Sequence, residues 1–439
     1  MKFVTGESGK LTTYQQIAEG GRNSLSVTVH GAVHALRDMG GLAFLTLRLA
    51  RGSVQCVCAP DMLPEGLCEE CCVELSGTAR EEPRAPGGFE IAVESLTLLS
   101  RPAAPMPVSL SKRGLGLNLD TELALRPAVL RHERERAAFK IQEGLARAFR
   151  DYLTGEGFTE IHTPKIVHAG AEGGSNIFRL DYFGKKAYLA QSPQFYKQTM
   201  VGVYERVFEI GPVFRAEKHA TPRHLNEYTG LDFEMGYIRS FYDVIEMETG
   251  YLRYAMALLG REYGPELTLL GVDLPDVDRI PCLRFDEAKR LAADKYGCRI
   301  RDPYDLEPEE EARIGRYARE EFGSDFVFIT HYPSKKRPFY AMDDPDDPKF
   351  TLSFDLLFRG MEVTTGGQRV HDYAAQVAKM EVRGMEPAEF GSYLMIHRHG
   401  MPPHGGLGIG LERLTMQLCG LDNIRYASLF PRDRTRMEP

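Results

Sequence analysis

Five short runs in which apolar and polar residues alternate, all within the first hundred positions, constrain the fold of this chain more than any other feature. The runs cover residues 25–29, 43–48, 53–58, 72–76 and 89–99. A period of two residues places the apolar side chains on one face of an extended strand. Five short strands separated by turn residues at this spacing predict a small β-barrel.

A five-stranded barrel of this size is typical of the OB-fold, a Greek-key barrel that often binds single-stranded nucleic acid. A proline-rich stretch follows at residues 101–107 and indicates a linker. We therefore predict an N-terminal OB-fold domain over residues 1–105, a hinge over 106–130 and a larger second domain over 131–439.

The larger domain opens with a predicted amphipathic helix. Apolar residues recur at helical spacing until two glycines end the pattern: Ala138, Ile141, Leu145, Phe149, Tyr152, Gly155 and Gly157. Strand-like runs follow at 187–191, 206–214, 233–238, 325–331 and 354–363. Because these runs do not alternate regularly with crossover helices, we expect an α+β domain built on an antiparallel sheet flanked by helices.

The composition fits a globular protein of two or three domains, with 439 residues, 43% hydrophobic and 26% charged. The sequence has neither an 18-residue apolar run nor a signal segment at its start, so we expect a cytoplasmic protein without a membrane partner. The net charge of −8 argues weakly against a nucleic-acid-binding protein, although a local basic face is compatible with an acidic total.

Five of the eight cysteines form a CxC pair followed by a CxxC pair and one neighbour: Cys56, Cys58, Cys68, Cys71 and Cys72. Clustered thiols raise the question of a zinc site, but CxC is not a typical zinc-binding spacing. The spacing favours reduced thiols that serve as small apolar residues on buried strands.

A cationic segment follows the run at 206–214. Arg215 and Glu217 are two positions apart, so on a strand they would share one face. Lys218, His219, Arg223 and His224 come next. The planar fork of an arginine suits a phosphate, because it can donate to two oxygens at once. The alternative is a surface loop held by ion pairs.

A glycine-rich run at 405–413 precedes an apolar helical pattern. Gly406, Gly408 and Gly410 give GxGxG rather than the dinucleotide-binding GxGxxG, and no βαβ unit surrounds them. We interpret the run as a strand whose glycines allow a ligand to approach closely. The helix after it would present Glu412 and Arg413 in its first turn.

Two acidic residues, Asp355 and Glu362, stand in otherwise apolar surroundings. Because a buried carboxylate without a partner is costly, we expect a cation near them. Mg²⁺ is commonly held by one or two carboxylates together with phosphate oxygens. The alternative is an ion pair with Arg359 or Arg369.

Polar groups of both signs occur in two further segments, EGGS at 172–175 and QSPQFYK at 191–197. A carboxylate can hold an ammonium group and a lysine can hold a carboxylate, so the combination fits a zwitterionic amino acid.

Together these clusters resemble the class II aminoacyl-tRNA synthetases, specifically the aspartyl enzymes of the archaeal and eukaryotic type. Residues 161–166 are similar to motif 1, residues 214–225 to motif 2, residues 408–413 to motif 3, and the tail at 429–433 also matches. The resemblance covers nearly the whole chain, whereas the class I HIGH and KMSKS signatures are absent from the sequence.

The resemblance implies an aspartate site. Glu172 would bind the amino group, and Lys197 and Arg369 would pair with the side-chain carboxylate. The remaining implied aspartate-site residues are Gln194, Phe195, Tyr196, Arg215, Asp232 and Thr365. Two cations around one carboxylate would favour aspartate over asparagine, because a neutral amide cannot repay their desolvation.

The resemblance also implies an ATP site. Arg215 would contact the α-phosphate, Arg413 the γ-phosphate and adenine, and Glu362 and Thr365 would hold Mg²⁺ with help from Asp355. Arg215, Glu362 and Arg413 are the implied catalytic residues. The other residues expected around ATP are Ala216, Glu217, Arg223, His224, Leu225, Gly410, Leu411 and Glu412.

Partners follow from the same resemblance. Members charge either tRNA(Asp) alone or both tRNA(Asp) and tRNA(Asn). Strict members tend to carry a tryptophan near the position of His34 and a lysine near that of Pro86, and this chain has no tryptophan. We therefore expect a non-discriminating enzyme, whose Asp-tRNA(Asn) a separate amidotransferase would convert. The motif 1 proline, Pro164, implies a homodimer.

Four alternatives remain open at this stage. The chain could be a discriminating aspartyl enzyme or an asparaginyl enzyme, although Asp232 and the EYTG run at 227–230 argue against the latter. It could be a stand-alone amino-acid ligase, but such ligases lack an anticodon-binding barrel. It could be an RNA-binding protein with an inactive catalytic domain, which the presence of Arg215, Glu362 and Arg413 disfavours.

Overall fold

The five alternating runs form a closed five-stranded barrel in the computed structural model, which describes residues 11–168, 170, 176–218 and 221–438. Its strands are β1 (Leu25–Asp38), β2 (Ala43–Arg48), β3 (Ser53–Cys58), β4 (Cys72–Glu81) and β5 (Phe89–Ser100). The order around the barrel is β1-β2-β3-β5-β4. The sequence-based prediction of an OB-fold barrel is therefore confirmed.

The barrel closes because β1 serves two neighbours. Its first half pairs antiparallel with β4 and its second half with β2, and the register shifts between Val33 and Ala35. A bulge of this kind bends a strand and increases its twist. Alternate side chains of the strands fill a single core, in which Val33, Leu47 and Ile91 are completely buried.

Short helices flank the barrel in the same compact unit, which spans Met1–Glu135. They are α1 (Tyr14–Gly20), α2 (Leu119–Ala124) and α3 (Arg126–Val129). The segment that the sequence analysis treats as a hinge, 106–130, thus contains α2 and α3 and belongs to this unit.

The second compact unit spans Arg136–Pro439. The helices assigned to it are α4 (Glu133–Gly155), which begins just before the boundary, α5 (Gln194–Tyr204), α6 (Tyr242–Glu262), α7 (Gly264–Leu270), α8 (Phe285–Tyr296), α9 (Pro308–Phe322), α10 (Tyr373–Val382), α11 (Gly391–His399) and α12 (Leu411–Leu418). Its strands are β6 (Thr159–Glu160), β7 (Ile166–Val167), β8 (Arg179–Tyr182), β9 (Lys185–Leu189), β10 (Arg206–Phe214), β11 (Glu227–Gly236), β12 (Cys282–Arg284), β13 (Phe326–Thr330), β14 (Ser353–Phe358), β15 (Met361–Gln368) and β16 (His404–Gly410).

An eight-stranded sheet organises this unit, in the order β12-β13-β14-β15-β16-β11-β10-β6. The pairs are antiparallel except at the two edges, where β12 and β6 run parallel to their neighbours. Helices α4 and α6 pack their apolar faces on the sheet, so that Phe149, Tyr251 and Phe233 share one core. This is the α+β domain that the sequence predicts.

One predicted strand is wrong. The run at 354–363 is two antiparallel strands, β14 and β15, joined at Arg359 and Gly360, which have φ angles of 49° and 76°. The turn is only two residues long and is followed by Met361 and Val363, so the apolar pattern of β14 continues across it. Gly360 is the local signal for the turn, because glycine adopts positive φ at little cost.

Among the residues that the structure describes, no helix is both long and apolar enough to cross a membrane.

Gly406, in the middle of β16, tests how tightly the sheet is built. A Cβ atom at this position would collide with the carbonyl oxygen of Phe233 and with the carboxylate of Glu234. We expect Gly406→Ala to lower the free energy of unfolding by about 1–3 kcal/mol, measured by chemical denaturation. Gly155→Ala is the control, because the space around Gly155 is open and alanine favours a helix. Equal stability of the two variants would contradict this prediction.

Candidate active site

A cavity of about 720 Å³ lies over the centre of the large sheet. Polar and charged side chains from α5, β11, β14, β15 and other segments line it, and ten of them are Gln191, Gln194, Lys197, Arg215, Asp232, Arg337, Asp355, Glu362, Thr365 and Arg369. Eight of these ten residues are ones that the sequence analysis assigned to a substrate, ATP or a metal. Gln191 was named only as part of a segment, and Arg337 was missed.

A second cavity of about 230 Å³ shares part of this lining. Arg215, Tyr228, Glu362 and Thr365 face both cavities. Its remaining polar and charged lining consists of Glu217, Arg223, His224, Glu412 and Arg413. The residues expected around an amino acid and those expected around ATP therefore line adjoining spaces that meet at Arg215 and Glu362.

Four buried charged residues form one cluster at the base of the first cavity, Lys197, Asp232, Glu234 and Arg369, called here the charge cluster. Lys197 Nζ lies 2.9 Å from Asp232 Oδ1 and 3.5 Å from Glu234 Oε2. Arg369 Nε lies 2.8 Å from Glu234 Oε1. Each buried cation thus has a resident carboxylate partner, which offsets part of its desolvation.

The sequence analysis predicted that Lys197 and Arg369 pair with the side-chain carboxylate of the substrate. The charge cluster shows that both residues also have partners within the protein. Two carboxylates of the protein already balance them. Glu234 was missed, although Asp232 and Glu234 lie two apart on β11 and therefore share a face. Two acids at alternate positions of an otherwise apolar strand were the available signal.

The guanidinium of Arg369 is fixed by further contacts. It donates to the carbonyl oxygen of Gly406 at 2.8 Å and lies 5.2 Å from the ring centre of Tyr340. The backbone N–H of Arg369 donates to the carbonyl oxygen of His404 at 2.9 Å. A cation held in this way is preorganised for an anionic ligand.

A layer of buried hydrogen bonds supports the charge cluster from behind. His404 Nδ1 lies 2.9 Å from the carbonyl oxygen of Pro402, which can only accept, so Nδ1 carries the proton. His404 Nε2 then accepts from Gln198 Nε2 at 2.9 Å, and Gln198 Oε1 accepts from the Tyr393 hydroxyl. Burial lowers the pKa of His404 to about 4, so the ring is neutral at physiological pH.

The second cavity is rich in arginine. Arg413 Nη1 donates to the carbonyl oxygen of Glu362 at 3.0 Å, and Arg223 Nη2 lies 2.5 Å from Glu311 Oε2. Burial raises the pKa of Glu362, but Arg413 and the other nearby guanidinium groups outweigh it and hold this pKa below its usual value. The arginines of this cavity are suited to bind phosphate groups, and the ionised carboxylate is suited to bind a metal cation.

His224 lies beside these arginines. Its Nδ1 is 2.6 Å from Thr221 Oγ1, and burial, with the neighbouring Arg413 and Arg223, lowers its pKa to about 4. The ring is therefore neutral and adds no charge to the second cavity.

Arg215 and Glu217 do not share a strand face, and that prediction is wrong. Strand β10 ends at Phe214, and Arg215 donates its backbone N–H to Asn226 before the chain leaves the sheet. The next residue, Ala216, donates instead to the carbonyl oxygen of Asn176. The backbone N–H of Glu217 then donates to the carbonyl oxygen of Arg215 at 2.8 Å, so the chain turns directly after the strand ends.

Asp355 is paired with Arg337, whose Nη2 lies 2.7 Å from Asp355 Oδ1 and whose guanidinium stacks 3.9 Å from the ring centre of Tyr332. The partners suggested from sequence are wrong, because Arg359 pairs with Asp325 and Arg369 with Glu234. Burial raises the pKa of Asp355 to about 6 although Arg337 opposes the shift.

Oxygen donors at the junction of the two cavities fit a divalent cation. Glu362 Oε1 lies 3.2 Å from the Thr365 hydroxyl, and both residues line both cavities. Mg²⁺ binds proteins through one or two such oxygens and completes its shell with water and phosphate. Asp355, held by Arg337, is less available. In the described ranges no three His, Cys, Asp or Glu side chains form a metal-binding group.

The profile of the tRNA synthetases class II (D, K and N) matches residues 118–434. The chain belongs to this synthetase family. The profile of the OB-fold nucleic acid binding domain matches residues 27–99, within the barrel.

The similarity to known proteins covers almost the whole length of this synthetase. It is 48% identical to an aspartate–tRNA(Asp/Asn) ligase of Deinococcus radiodurans over 420 residues, 94% of this chain and 96% of that protein. It is 46% identical to a ligase of the same name from Thermus thermophilus, at the same coverage. An asparaginyl-tRNA synthetase structure from Pyrococcus horikoshii, complexed with asparaginyl-adenylate, superposes with a TM-score of 0.87 at 31% identity, covering 98% and 100% of the two chains.

Some predicted site residues of this synthetase are held mainly by contacts within the protein, whether or not they line a cavity. The Phe195 ring packs against Tyr393 and Phe339, and Leu411 lies in the core. Glu412 accepts the backbone N–H of Thr229 at 3.0 Å. Tyr196 and Ala216 line neither cavity. The predictions for Glu172 and His219 fall outside the described residues.

The two residues that the sequence analysis linked to tRNA choice lie in the barrel unit. His34 is half-buried on β1, with Nδ1 3.5 Å from Arg48 Nη1, and Arg48 makes two bonds of 2.6 and 2.7 Å to Glu70. Pro86 is exposed in the short helical turn Pro86–Gly88 that leads into β5. The two residues therefore occupy separate elements of the barrel.

His404 gives the synthetase a pH-dependent component of stability. The folded protein protonates this ring only below about pH 4, whereas an unfolded chain does so near its ordinary pKa of 6.5. Between these values the unfolded state binds more protons, so stability is lost as the pH falls.

We expect the difference in unfolding free energy between the parent and His404→Gln to shrink by on the order of 3 kcal/mol between pH 7 and pH 4. Denaturant titrations at each pH measure it. His399→Gln, at the exposed end of α11, is the control and should keep the parental pH profile. A constant difference for His404→Gln would refute the prediction.

Proposed function

We propose that this synthetase activates L-aspartate with ATP and transfers the aspartyl group to the 3′ end of tRNA(Asp) and tRNA(Asn). The observation that carries the proposal is the junction of two cavities at Arg215, one containing the charge cluster and the other rich in arginine. The names of the aspartate–tRNA(Asp/Asn) ligases from Deinococcus radiodurans and Thermus thermophilus support the choice of amino acid and of tRNA.

Aspartate would enter the first cavity with its side-chain carboxylate towards Lys197 and Arg369. Gln194 Nε2 is buried at this cavity and has no hydrogen-bond partner in the described part of the chain, so it offers a further donor. Asparagine would replace one carboxylate oxygen by an NH₂ group, which places a donor against donors. We propose Glu172 as the partner of the amino group.

ATP would occupy the second cavity and the junction. Arg215 would contact the α-phosphate, Arg413 the γ-phosphate and adenine, with Arg223 and His224 beside them. Glu362 and Thr365 would hold Mg²⁺, which, when bound, would neutralise part of the phosphate charge.

The reaction then needs no covalent intermediate with the enzyme. The α-carboxylate of aspartate attacks the α-phosphorus in line, pyrophosphate leaves, and Arg215 stabilises the charge that develops on the phosphate. A ribose hydroxyl of the terminal adenosine of tRNA next attacks the aspartyl carbonyl carbon and AMP leaves.

We expect Arg215→Ala to raise the barrier to adenylate formation by about 2–4 kcal/mol, because it removes a preorganised cation from the transition state. Aspartate-dependent ATP–pyrophosphate exchange measures the loss, and an unchanged thermal unfolding profile would show that the fold is intact. Arg316→Ala, which removes an exposed arginine of α9, is the matched control. Near-parental exchange by Arg215→Ala would reject the role given to Arg215.

An asparaginyl enzyme is the second candidate, favoured by the close structural similarity to the asparaginyl-tRNA synthetase. The same exchange assay separates the two, with aspartate and asparagine supplied in turn. Exchange with asparagine alone would replace the proposed substrate.

Charging of two tRNAs is the sharper test of the proposed specificity. We expect purified synthetase to aspartylate tRNA(Asp) and tRNA(Asn) with kcat/KM values of similar size, since His34 and Pro86 provide neither the indole of a tryptophan nor the ammonium group of a lysine that strict members tend to carry. If only tRNA(Asp) is charged, the proposed aspartate–tRNA ligase activity is retained, but the enzyme is discriminating.

Three further features belong to this proposal. The enzyme works in the cytoplasm, a tRNA-dependent amidotransferase consumes its Asp-tRNA(Asn), and it acts as a homodimer through residues 161–166. Exposure of Pro164 and Ile166 in this segment supports the dimer interface, because apolar residues there would be covered by a second copy.

A further inference from the structure

The CxxC pair of the barrel unit forms a tight turn between β3 and β4. Cys71 donates its backbone N–H to the carbonyl oxygen of Cys68 at 3.2 Å, and Glu70 between them has a φ of 66°. A four-residue turn of this kind keeps its end Cα atoms within about 7 Å, which is compatible with a disulfide bond. The two sulphur atoms already lie 3.6 Å apart.

We propose that Cys68 and Cys71 form a reversible disulfide, and that this turn is a thiol-modification site of the barrel. The exposed Cys68 is accessible to an external oxidant, whereas Cys71 is completely buried. Cys68 therefore reacts first and Cys71 resolves the product.

A small-molecule disulfide, such as oxidised glutathione, supplies the oxidant. The Cys68 thiolate attacks one of its sulphurs, forming a mixed disulfide and expelling a thiolate. The Cys71 thiolate then attacks Cys68 Sγ, closes the protein disulfide and expels the second thiolate. Two protein thiols are oxidised, one small disulfide is reduced to two thiols, and the two protons of Cys68 and Cys71 end on them.

Exposure sets the order of the two steps, and the surrounding atoms affect the rate of each step differently. The backbone N–H of Cys68 lies 3.4 Å from Cys71 Sγ and can stabilise a thiolate there. The side-chain hydrogen bond to Cys71 raises the pKa of the Cys68 thiol, so the first step should become faster as the pH rises above neutrality.

The turn also carries an ion-pair centre of the barrel. Glu70 bonds to both Arg48 and Arg131, and Arg48 lies next to His34. Closing the disulfide shortens the distance between the sulphurs from 3.6 Å to about 2 Å, so the side chains or the backbone of the turn that bears Glu70 must adjust. This inference rests on the proposed function: we expect oxidation to weaken tRNA binding and to leave adenylate formation unchanged.

The chemical test uses the full chain equilibrated with mixtures of reduced and oxidised glutathione, acid-quenched, alkylated and digested for mass spectrometry. We expect a Cys68–Cys71 disulfide that dithiothreitol reverses and that Cys68→Ser abolishes. Cys72→Ser, at the exposed neighbouring cysteine, is the control and should still form it. Free thiols at 68 and 71 in the most oxidising mixture, or pairing of Cys68 with Cys72, would overturn the proposal.

The functional test compares oxidised and reduced protein in two assays. We expect the KM for tRNA to rise several-fold on oxidation while ATP–pyrophosphate exchange stays unchanged, and Cys68→Ser to be insensitive. An unchanged KM in fully oxidised protein would refute the coupling to tRNA. Failure of the reduced protein to charge any tRNA would instead count against the proposed function. The proposed disulfide would then be tested only by the mass spectrometry of the alkylated digests.

Discussion

The buried charge cluster is the interaction on which the rest of the catalytic unit depends. Each of its two cations lies within hydrogen-bonding distance of a carboxylate that is itself buried. Removing one partner of such a pair leaves an uncompensated charge in the interior, which costs about 3–5 kcal/mol. The four residues come from α5, from β11 and from the end of β15, so the cluster forms only when these distant parts of the chain meet.

That meeting requires β16, which lies between β11 and β15. Gly406 and Gly408 stand opposite Glu234 and Asp232 in the ladder, and a Cβ atom on either glycine would meet the facing carboxylate. The glycine run was interpreted from sequence as room for a ligand. In the structure it makes room first for the protein's own carboxylates, which then hold Lys197 at the base of the cavity.

Local features could be predicted from the sequence, whereas contacts between distant residues could not. Alternation and turn residues are local signals, and they located every strand of the barrel. Family resemblance brought Arg215 and Glu362 to one site. Glu234 and Arg337 were missed because their importance lies in partners far along the chain, at 369 and 355. Nothing in the run SKKRPF distinguishes Arg337 from its neighbouring lysines, since only burial against Tyr332 and Asp355 does so.

The two cavities differ in how their charge is balanced, and this difference explains how an acidic chain can handle polyanions. In the charge cluster of the first cavity each cation is matched by a resident carboxylate, so recognition there depends on the geometry of fixed donors. In the second, Arg215, Arg223 and Arg413 face Glu362, whose pKa they hold low. That gathering of arginines is local and is not visible in a net charge of −8. Arg215 lines both spaces, so on the proposed function a carboxylate oriented in one and a phosphate held in the other meet at the same guanidinium.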